Sequence, residues 1–123
     1  MGYVLIVDDS VDTCRVLVRL FRASGHPAEA LHSGEDALAR LADPAGDRPA
    51  LVLLDVMMPG LSGLDVLERV RAAPGLAGLP VVLYTAAHDP AVAERGMALG
   101  ARDVVLKSGG WDALYPKVRP FLG

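Results

Sequence analysis

The sequence has 123 residues, of which 52% are hydrophobic and 22% charged, and its formal net charge is −3. This length suits one domain with a real core, and the apolar content excludes a disordered chain. Because the charges are scattered and every apolar run is strand-sized, we expect neither direct nucleic-acid binding nor a membrane span. The N-terminus has no basic leader segment, and the single Cys14 cannot form an internal disulfide. We therefore expect one cytoplasmic domain over residues 1–123.

The first quarter of the chain reads as strand, helix and strand. Tyr3–Val7 is a β-branched apolar run, which predicts a strand. From Val11 to Phe21 apolar residues recur at three- and four-residue steps, which predicts a helix with Ser10 as its N-cap and Gly25 as its stop. Ala28–Leu31 is a weaker strand candidate.

The middle of the chain repeats a helix-start signal. The sequences SGED at Ser33–Asp36 and SGLD at Ser62–Asp65 resemble capping boxes, and each is followed by leucines at helical spacing. Between these two predicted helices lies the run LVLL at Leu51–Leu54, which suits a strand buried on both faces. Pro74 and Gly75 close the second of the two helices.

The last third continues the alternation. Val81–Tyr84 predicts a fourth strand, and Asp89 with Pro90 forms an N-cap and first-turn pair for a helix that ends before Gly100. Asp103–Leu106 predicts the fifth strand. We expect the final helix to be interrupted, because it contains two prolines, Pro116 and Pro120.

These elements predict an α/β fold. Five strand–helix units with strands apolar on both faces indicate a doubly wound, five-stranded parallel sheet with helices on both faces. The leading topology is the flavodoxin-like order 2-1-3-4-5. In such sheets ligands bind beyond the carboxyl ends of the strands, so the residues there are the candidate site.

Polar residues follow four of the five predicted strands. They are Asp8 and Asp9 after strand 1, Asp55 after strand 3, Thr85 after strand 4 and Lys107 after strand 5. Each alone is most simply a solvated loop residue or a helix cap, but together they share one rim. Two carboxylates at about 5 Å repel by about 3 kcal/mol at an effective dielectric of about 20, so a cation must offset them. Oxygen ligands without nearby His or Cys favour Mg²⁺, and the central Asp55 is then a possible nucleophile that forms an aspartyl phosphate.

Four segments closely resemble the response-regulator receiver domains of two-component signalling. They are LIVDDS, LVLLDVMMPGLSGLDVLERVR, VVLYTA and GARDVVLK, and the resemblance covers nearly the whole chain. It implies that Asp55 is the phosphoacceptor and that Asp9, Asp55 and the Met57 carbonyl bind Mg²⁺. It implies that Asp8 acts partly through water.

The resemblance also implies how the phosphoryl group is held and used. Lys107 would hold the phosphoryl group or its ion-pair partner, Thr85 would swing towards it, and the Ala86 amide would lie close to it. The donor would be the phosphohistidine of a sensor histidine kinase or a histidine phosphotransfer protein. The domain would be no enzyme on a separate substrate, but would promote its own phosphorylation and dephosphorylation. A downstream protein target would bind helix 4, strand 5 and helix 5. Because no effector domain follows Leu122 and Gly123, we expect the output to be such a protein contact or an output domain outside this sequence.

The sequence departs from the family pattern near the last strand. Ser108 replaces the proline that usually follows the lysine, and Val104 replaces an aromatic residue three positions before it. We therefore expect signalling by ordering of helix 4 and the following segment, instead of an aromatic rotamer change. Gly96 within helix 4 costs about 1 kcal/mol relative to alanine and should loosen this face.

Three alternatives stand beside the receiver interpretation. A pseudo-receiver would act as a phosphorylation-independent protein-binding module, but it would have lost an acid or the lysine. A flavodoxin-like redox carrier would need more aromatic residues than 5% and no acid pair after strand 1. A haloacid-dehalogenase-like phosphatase would carry its acids in one DxD motif. For several residues we expect only a structural role: His26, His32 and His88 lie on the surface, Cys14 is a buried thiol, and Met57 and Met58 pack in the turn.

Overall fold

The computed structural model describes residues 2–122, and within them five strands alternate with five α-helices. The strands are β1 (Val4–Val7), β2 (Ala28–Leu31), β3 (Leu51–Asp55), β4 (Val81–Thr85) and β5 (Asp103–Leu106). The α-helices are α1 (Val11–Ala23), α2 (Gly34–Ala42), α3 (Gly63–Ala72), α4 (Pro90–Ala98) and α5 (Gly110–Val118). Short 3₁₀ turns at Lys107–Gly109 and Arg119–Phe121 flank α5.

The strands form one parallel sheet in the order β2-β1-β3-β4-β5, which confirms the predicted fold. The carboxyl ends of neighbouring strands lie at nearly the same level of the sheet, since Val7 pairs with Leu54 and Asp55 pairs with Tyr84. Every residue of β1, β3 and β4 is buried. Apolar clusters cover both faces of the sheet, one with α2, α3 and α4 and the other with α1 and α5.

The helix starts follow the predicted capping signals, with one difference. Ser10 and Asp89 accept hydrogen bonds from first-turn N–H groups, and Ser62 forms the full reciprocal capping box. Ser33 also accepts from the N–H of Asp36 at 3.0 Å, but of these two serines Ser62 alone donates its own N–H to the N3 carboxylate, that of Asp65. The difference follows φ, which is −149° at Ser33 and −73° at Ser62 and which sets the direction of the N–H.

Gly96, which we expect to loosen α4, also has a packing role in the structure. Gly96 is the buried residue of this helix, and a Cβ on it would overlap the side chain of Leu83 in β4. The glycine therefore lets the helix approach the sheet closely, a benefit that its low helix propensity does not reveal.

The expected break in α5 is absent, and the helix continues through Pro116 to Val118. Aromatic packing holds the helix in place: Trp111 meets the ring of Phe21 edge-on at 4.9 Å and stacks on Tyr115 at 4.8 Å. Pro116 lies on the exposed side of the last turn, where water can satisfy the carbonyl that its missing N–H leaves free. Pro120 lies beyond α5, in the final 3₁₀ turn.

Candidate functional site

The polar residues predicted for the strand ends meet at one rim of the sheet. Asp8 directly follows β1, Asp55 is the last residue of β3, Thr85 is the last residue of β4, and Lys107 directly follows β5. Carboxylate oxygens of Asp8, Asp9 and Asp55 lie within 4.8 Å of one another. The parallel topology therefore brings together side chains that lie far apart in the sequence.

Asp8 is the most firmly held acid of the site. Its side chain is almost fully buried, with 2% of the residue exposed. Oδ1 accepts a hydrogen bond from the N–H of Ser10 at 2.9 Å, and Oδ2 accepts one from Nζ of Lys107 at 2.7 Å. Both oxygens thus have donors, one of them charged, which is the arrangement that a buried carboxylate needs.

Asp55 is buried too, but its charge is less well compensated. It is 5% exposed, and its Oδ1 lies 3.4 Å from Nζ of Lys107, further than Asp8. Burial and the nearby charge of Asp8 raise the pKa of Asp55 to about 6. Lys107 and the N–H of Met57 lower this pKa, but not enough to restore its usual value. The carboxylate is therefore ionised at neutral pH, but at a cost to the folded state.

Lys107 supplies the positive charge that the two buried acids require. Burial alone would lower its pKa, but the hydrogen bond with Asp8 and the charge of Asp55 together outweigh it, so the pKa lies above the usual value. Its Nζ also lies 5.8 Å from the ring centre of Tyr84. The lysine is thus a fixed cation that bridges β1 and β3 from β5.

The remaining predicted site residues lie around this cluster. Asp9 is exposed, and Met57 is 69% exposed, so the prediction that Met57 packs in the turn is wrong; its neighbour Met58 packs against the core instead. Thr85 is buried, and its hydroxyl accepts a hydrogen bond from the N–H of Ala87 at 3.3 Å. Ala86 lies between them and is exposed.

The chemistry of the cluster fits a hard divalent cation. Its donors are carboxylate oxygens from three residues, and the exposed Asp9 marks the side that is open to water. Hard divalent cations prefer oxygen ligands and often keep several waters, which a cluster with one exposed carboxylate allows.

Sequence analysis missed two kinds of residue near the site. Gly63, the first residue of α3, is buried, and a Cβ on it would overlap the main-chain oxygen of Asp55. We interpreted its SGLD motif only as a helix start, although the glycine also makes room for the end of β3. The second kind is Cys14 and His32, which both approach the main-chain oxygen of Asp8. Cys14 is buried and His32 exposed, as predicted, but a side-chain contact with a main-chain group of another element leaves no local pattern in a sequence.

Comparisons with known proteins agree on one family. Residues 4–119 match the family model of the response regulator receiver domain. The chain is 36% identical over 121 residues to the transcriptional regulatory protein YkoG of Bacillus subtilis, covering 98% of this chain and 51% of YkoG. It therefore spans about half the length of the curated relatives it matches.

Solved structures resemble the chain over its full length. The chemotaxis protein CheY4 of Vibrio cholerae has a TM-score of 0.88 at 25% sequence identity, covering 99% of both chains. The Mn(2+)-bound form of response regulator Rcp1 has a TM-score of 0.83 at 27% identity, covering 98% of this chain and 91% of Rcp1. Within residues 2–122 no helix is both long and apolar enough to cross a membrane.

Proposed function

The chain belongs to the family of response regulator receiver domains, and we propose that it accepts a phosphoryl group on Asp55 and passes the signal to a protein partner. The observation that carries the proposal is the unequal environment of the two buried acids. Lys107 lies 2.7 Å from Oδ2 of Asp8 but 3.4 Å from Oδ1 of Asp55. Burial and the charge of Asp8 raise the pKa of Asp55, and Lys107 lowers it only in part. A poorly compensated, positioned carboxylate is the one best suited to attack an electrophile.

In the proposed transfer, an Asp55 oxygen attacks the phosphorus of a phosphohistidine. A P–O bond forms as the P–N bond breaks, and the imidazole nitrogen leaves with the bonding electron pair and takes up a proton. Lys107 already stands between the two acids, so its cation stabilises the charge on the transferred oxygens. Thr85 at the end of β4 then offers its hydroxyl, and Ala86 its main-chain N–H, to the same group.

We propose that Asp8, Asp9, Asp55 and the main-chain carbonyl of Met57 hold Mg²⁺, with Asp8 partly through water. The ion would neutralise charge on the acids and on the phosphoryl oxygens. The three converging carboxylates support this assignment, as does the Mn(2+)-bound form of the similar response regulator Rcp1. Because Asp9 is exposed, it is the ligand whose removal should affect the fold least.

The same proposal extends to the partners and the place of action. The phosphoryl donor is a sensor histidine kinase or a histidine phosphotransfer protein, and the target binds the face formed by α4, β5 and α5. The domain acts in the cytoplasm, contacts neither nucleic acid nor membrane itself, and is no enzyme beyond promoting its own phosphorylation and dephosphorylation. YkoG is a transcriptional regulatory protein about twice as long as this chain, so such an output would reside outside the matched region.

Intact-mass spectrometry after incubation with Mg²⁺ and acetyl phosphate tests the proposal. The wild-type protein should gain the mass of one phosphoryl group, and Asp55→Asn should gain none. Asp47→Asn, which changes an exposed carboxylate outside the cluster, serves as the matched control and should label like the wild type. Absence of an adduct on the wild type would favour the pseudo-receiver, which binds partners without phosphorylation.

Thermal unfolding with and without Mg²⁺ tests the metal assignment separately. Millimolar Mg²⁺ should raise the melting temperature of the wild type, because the ion relieves repulsion among the acids and binds only the folded state. Asp9→Asn should lose most of this rise. An equal rise in the wild type and in Asp9→Asn would overturn the assignment of Asp9 as a ligand.

A further inference from the structure

The peptide group that joins Asp8 to Asp9 is held by side chains from two other elements. Its oxygen lies 3.1 Å from Nδ1 of His32, in the loop between β2 and α2. The same oxygen accepts a hydrogen bond from Sγ of the buried Cys14 in α1, at 3.3 Å. A carbonyl oxygen can only accept, so Nδ1 of His32 must carry a proton and act as the donor. The two side chains together can occupy both lone pairs of this oxygen.

The other main-chain group of Asp8 is tied to the same loop. Its N–H donates to the carbonyl of Leu31 at 3.1 Å, and Leu31 directly precedes His32. The end of β2 therefore holds Asp8 on both sides of its Cα, once as acceptor and once as donor. The side chain of Asp8 is fixed independently by Ser10 and Lys107.

Fixing this peptide oxygen has a direct consequence for Asp9. A peptide group is planar, so the position of its oxygen sets ψ of Asp8 and the direction of the N–Cα bond of Asp9. The hydrogen bond from the N–H of Ser10 to Oδ1 of Asp8 then restricts φ of Asp9. These two angles determine how the Asp9 side chain is directed relative to that of Asp8. Asp9 is exposed, and exposed side chains lose conformational freedom when they are recruited to a site. A peptide held in place beforehand reduces that loss.

We propose that His32 is a positioning residue for the acidic pair, holding the Asp8–Asp9 peptide so that both carboxylates face the same ion. Cys14 is the second, weaker donor, since a thiol donates poorly. The inference rests on the proposed function, because it assigns these donors to the binding of Mg²⁺. His32 itself touches neither the ion nor the phosphoryl group, so its effect is indirect.

Residues that orient metal ligands typically change metal affinity by about 10- to 100-fold when they are lost. His32 is exposed and one of two donors, so we expect the lower end, a loss of about tenfold in Mg²⁺ affinity for His32→Phe. Asn places an amide N–H where Nδ1 stood, so His32→Asn should retain most of the wild-type affinity. Cys14→Ala should weaken Mg²⁺ binding less than His32→Phe does.

The test is a Mg²⁺ titration followed by ¹⁵N NMR, which also reports the amide of Asp9 without any ion. His26→Phe is the matched control, because it removes a histidine whose hydrogen bond, to Tyr115 at 2.9 Å, lies away from the acids. The inference predicts weaker Mg²⁺ binding and a shifted Asp9 amide in His32→Phe, and neither in His26→Phe. Labelling by acetyl phosphate at saturating Mg²⁺ should return to the wild-type rate.

Three outcomes would overturn the inference, and they are distinguishable. If the wild type binds Mg²⁺ and His32→Phe binds it equally well, His32 has no positioning role while the proposed function stands. If His32→Asn is as weak as His32→Phe, the hydrogen bond is not the cause and the inference fails. If the wild type itself binds no Mg²⁺, the proposed metal site fails and the inference fails with it.

Discussion

Replacing Asp55 by asparagine should stabilise the protein at neutral pH in the absence of Mg²⁺, although it removes the proposed phosphoacceptor. The ordinary pKa of an aspartate is 3.8, whereas burial, together with the charge of Asp8, raises the pKa of Asp55 to about 6 in the folded state. Between these values the folded protein holds a proton that the unfolded chain has released. The contribution of Asp55 to stability therefore falls as the pH rises from about 4 to about 6, and above that the full penalty remains.

The size of the effect follows from the two pKa values. Their difference corresponds to about 3 kcal/mol at pH 7.5, and roughly half of this penalty is already present at pH 5. Asparagine keeps the size of the side chain but carries no charge, so it lacks the penalty at every pH. The variant's advantage should therefore grow by about 1 kcal/mol between pH 5 and pH 8. For a chain of this length, the full effect corresponds to about 10 °C in melting temperature.

Urea unfolding of the wild type and Asp55→Asn at pH 5, 6, 7 and 8, in EDTA, measures this difference. Asp47→Asn is the control, and its stability should stay within about 0.5 kcal/mol of the wild type throughout. Saturating Mg²⁺ should close most of the gap, because the ion relieves the repulsion that the variant never had. A variant that is less stable than the wild type at pH 8, or an advantage that does not change with pH, would refute the electrostatic reasoning.

Three further predictions concern packing, phosphoryl lifetime and the output face. Gly96→Ala should lower the free energy of unfolding by about 1–3 kcal/mol in urea titrations, because the added methyl group overlaps Leu83; a stabilised variant would contradict this. Met57 and Ala87 cannot orient a water by hydrogen bonding, so the phospho-form should decay slowly and the double variant Met57→Asn, Ala87→Glu should decay faster by intact mass; an unchanged decay would count against it. Amide hydrogen exchange over residues 88–122 should slow when beryllium fluoride, a phosphoryl mimic, is added, because Thr85 and Lys107 draw their loops inward; unchanged protection would favour another output face.

The topology and the site could be predicted from the sequence because both depend on patterns of residue type. Apolar runs mark the buried strands, and the acids, the threonine and the lysine stand at the points where those runs end. A parallel sheet then places all strand ends at one rim, whatever their separation along the chain. The strands differ from the prediction at their ends: β1 begins at Val4 instead of Tyr3, and Asp55 and Thr85 are themselves the last residues of β3 and β4.

Effects that depend on close approach were beyond the sequence. From the sequence, Gly96 predicts a less stable helix, because helix propensity describes the isolated backbone. The structure shows that a side chain at this position would overlap Leu83 of β4, which the sequence does not reveal. Pro116 predicts a break, yet the helix continues through it, and Trp111 in its first turn packs against Phe21 of α1. In both helices the contacts with another element are absent from local propensities of about 1–3 kcal/mol.

The arrangement of donors explains why two neighbouring buried acids differ in character. Asp8 receives the N–H of Ser10 and the closer bond of Lys107, and its own peptide is held by the end of β2. The negative charge of Asp8 is therefore well compensated, and its side chain is held in one position. Asp55 shares the same lysine at a longer distance and keeps the repulsion of Asp8. The one lysine therefore leaves Asp8 well compensated, whereas burial and the charge of Asp8 keep the pKa of Asp55 raised. This difference supports the proposal that Asp55, and not Asp8, is the phosphoacceptor.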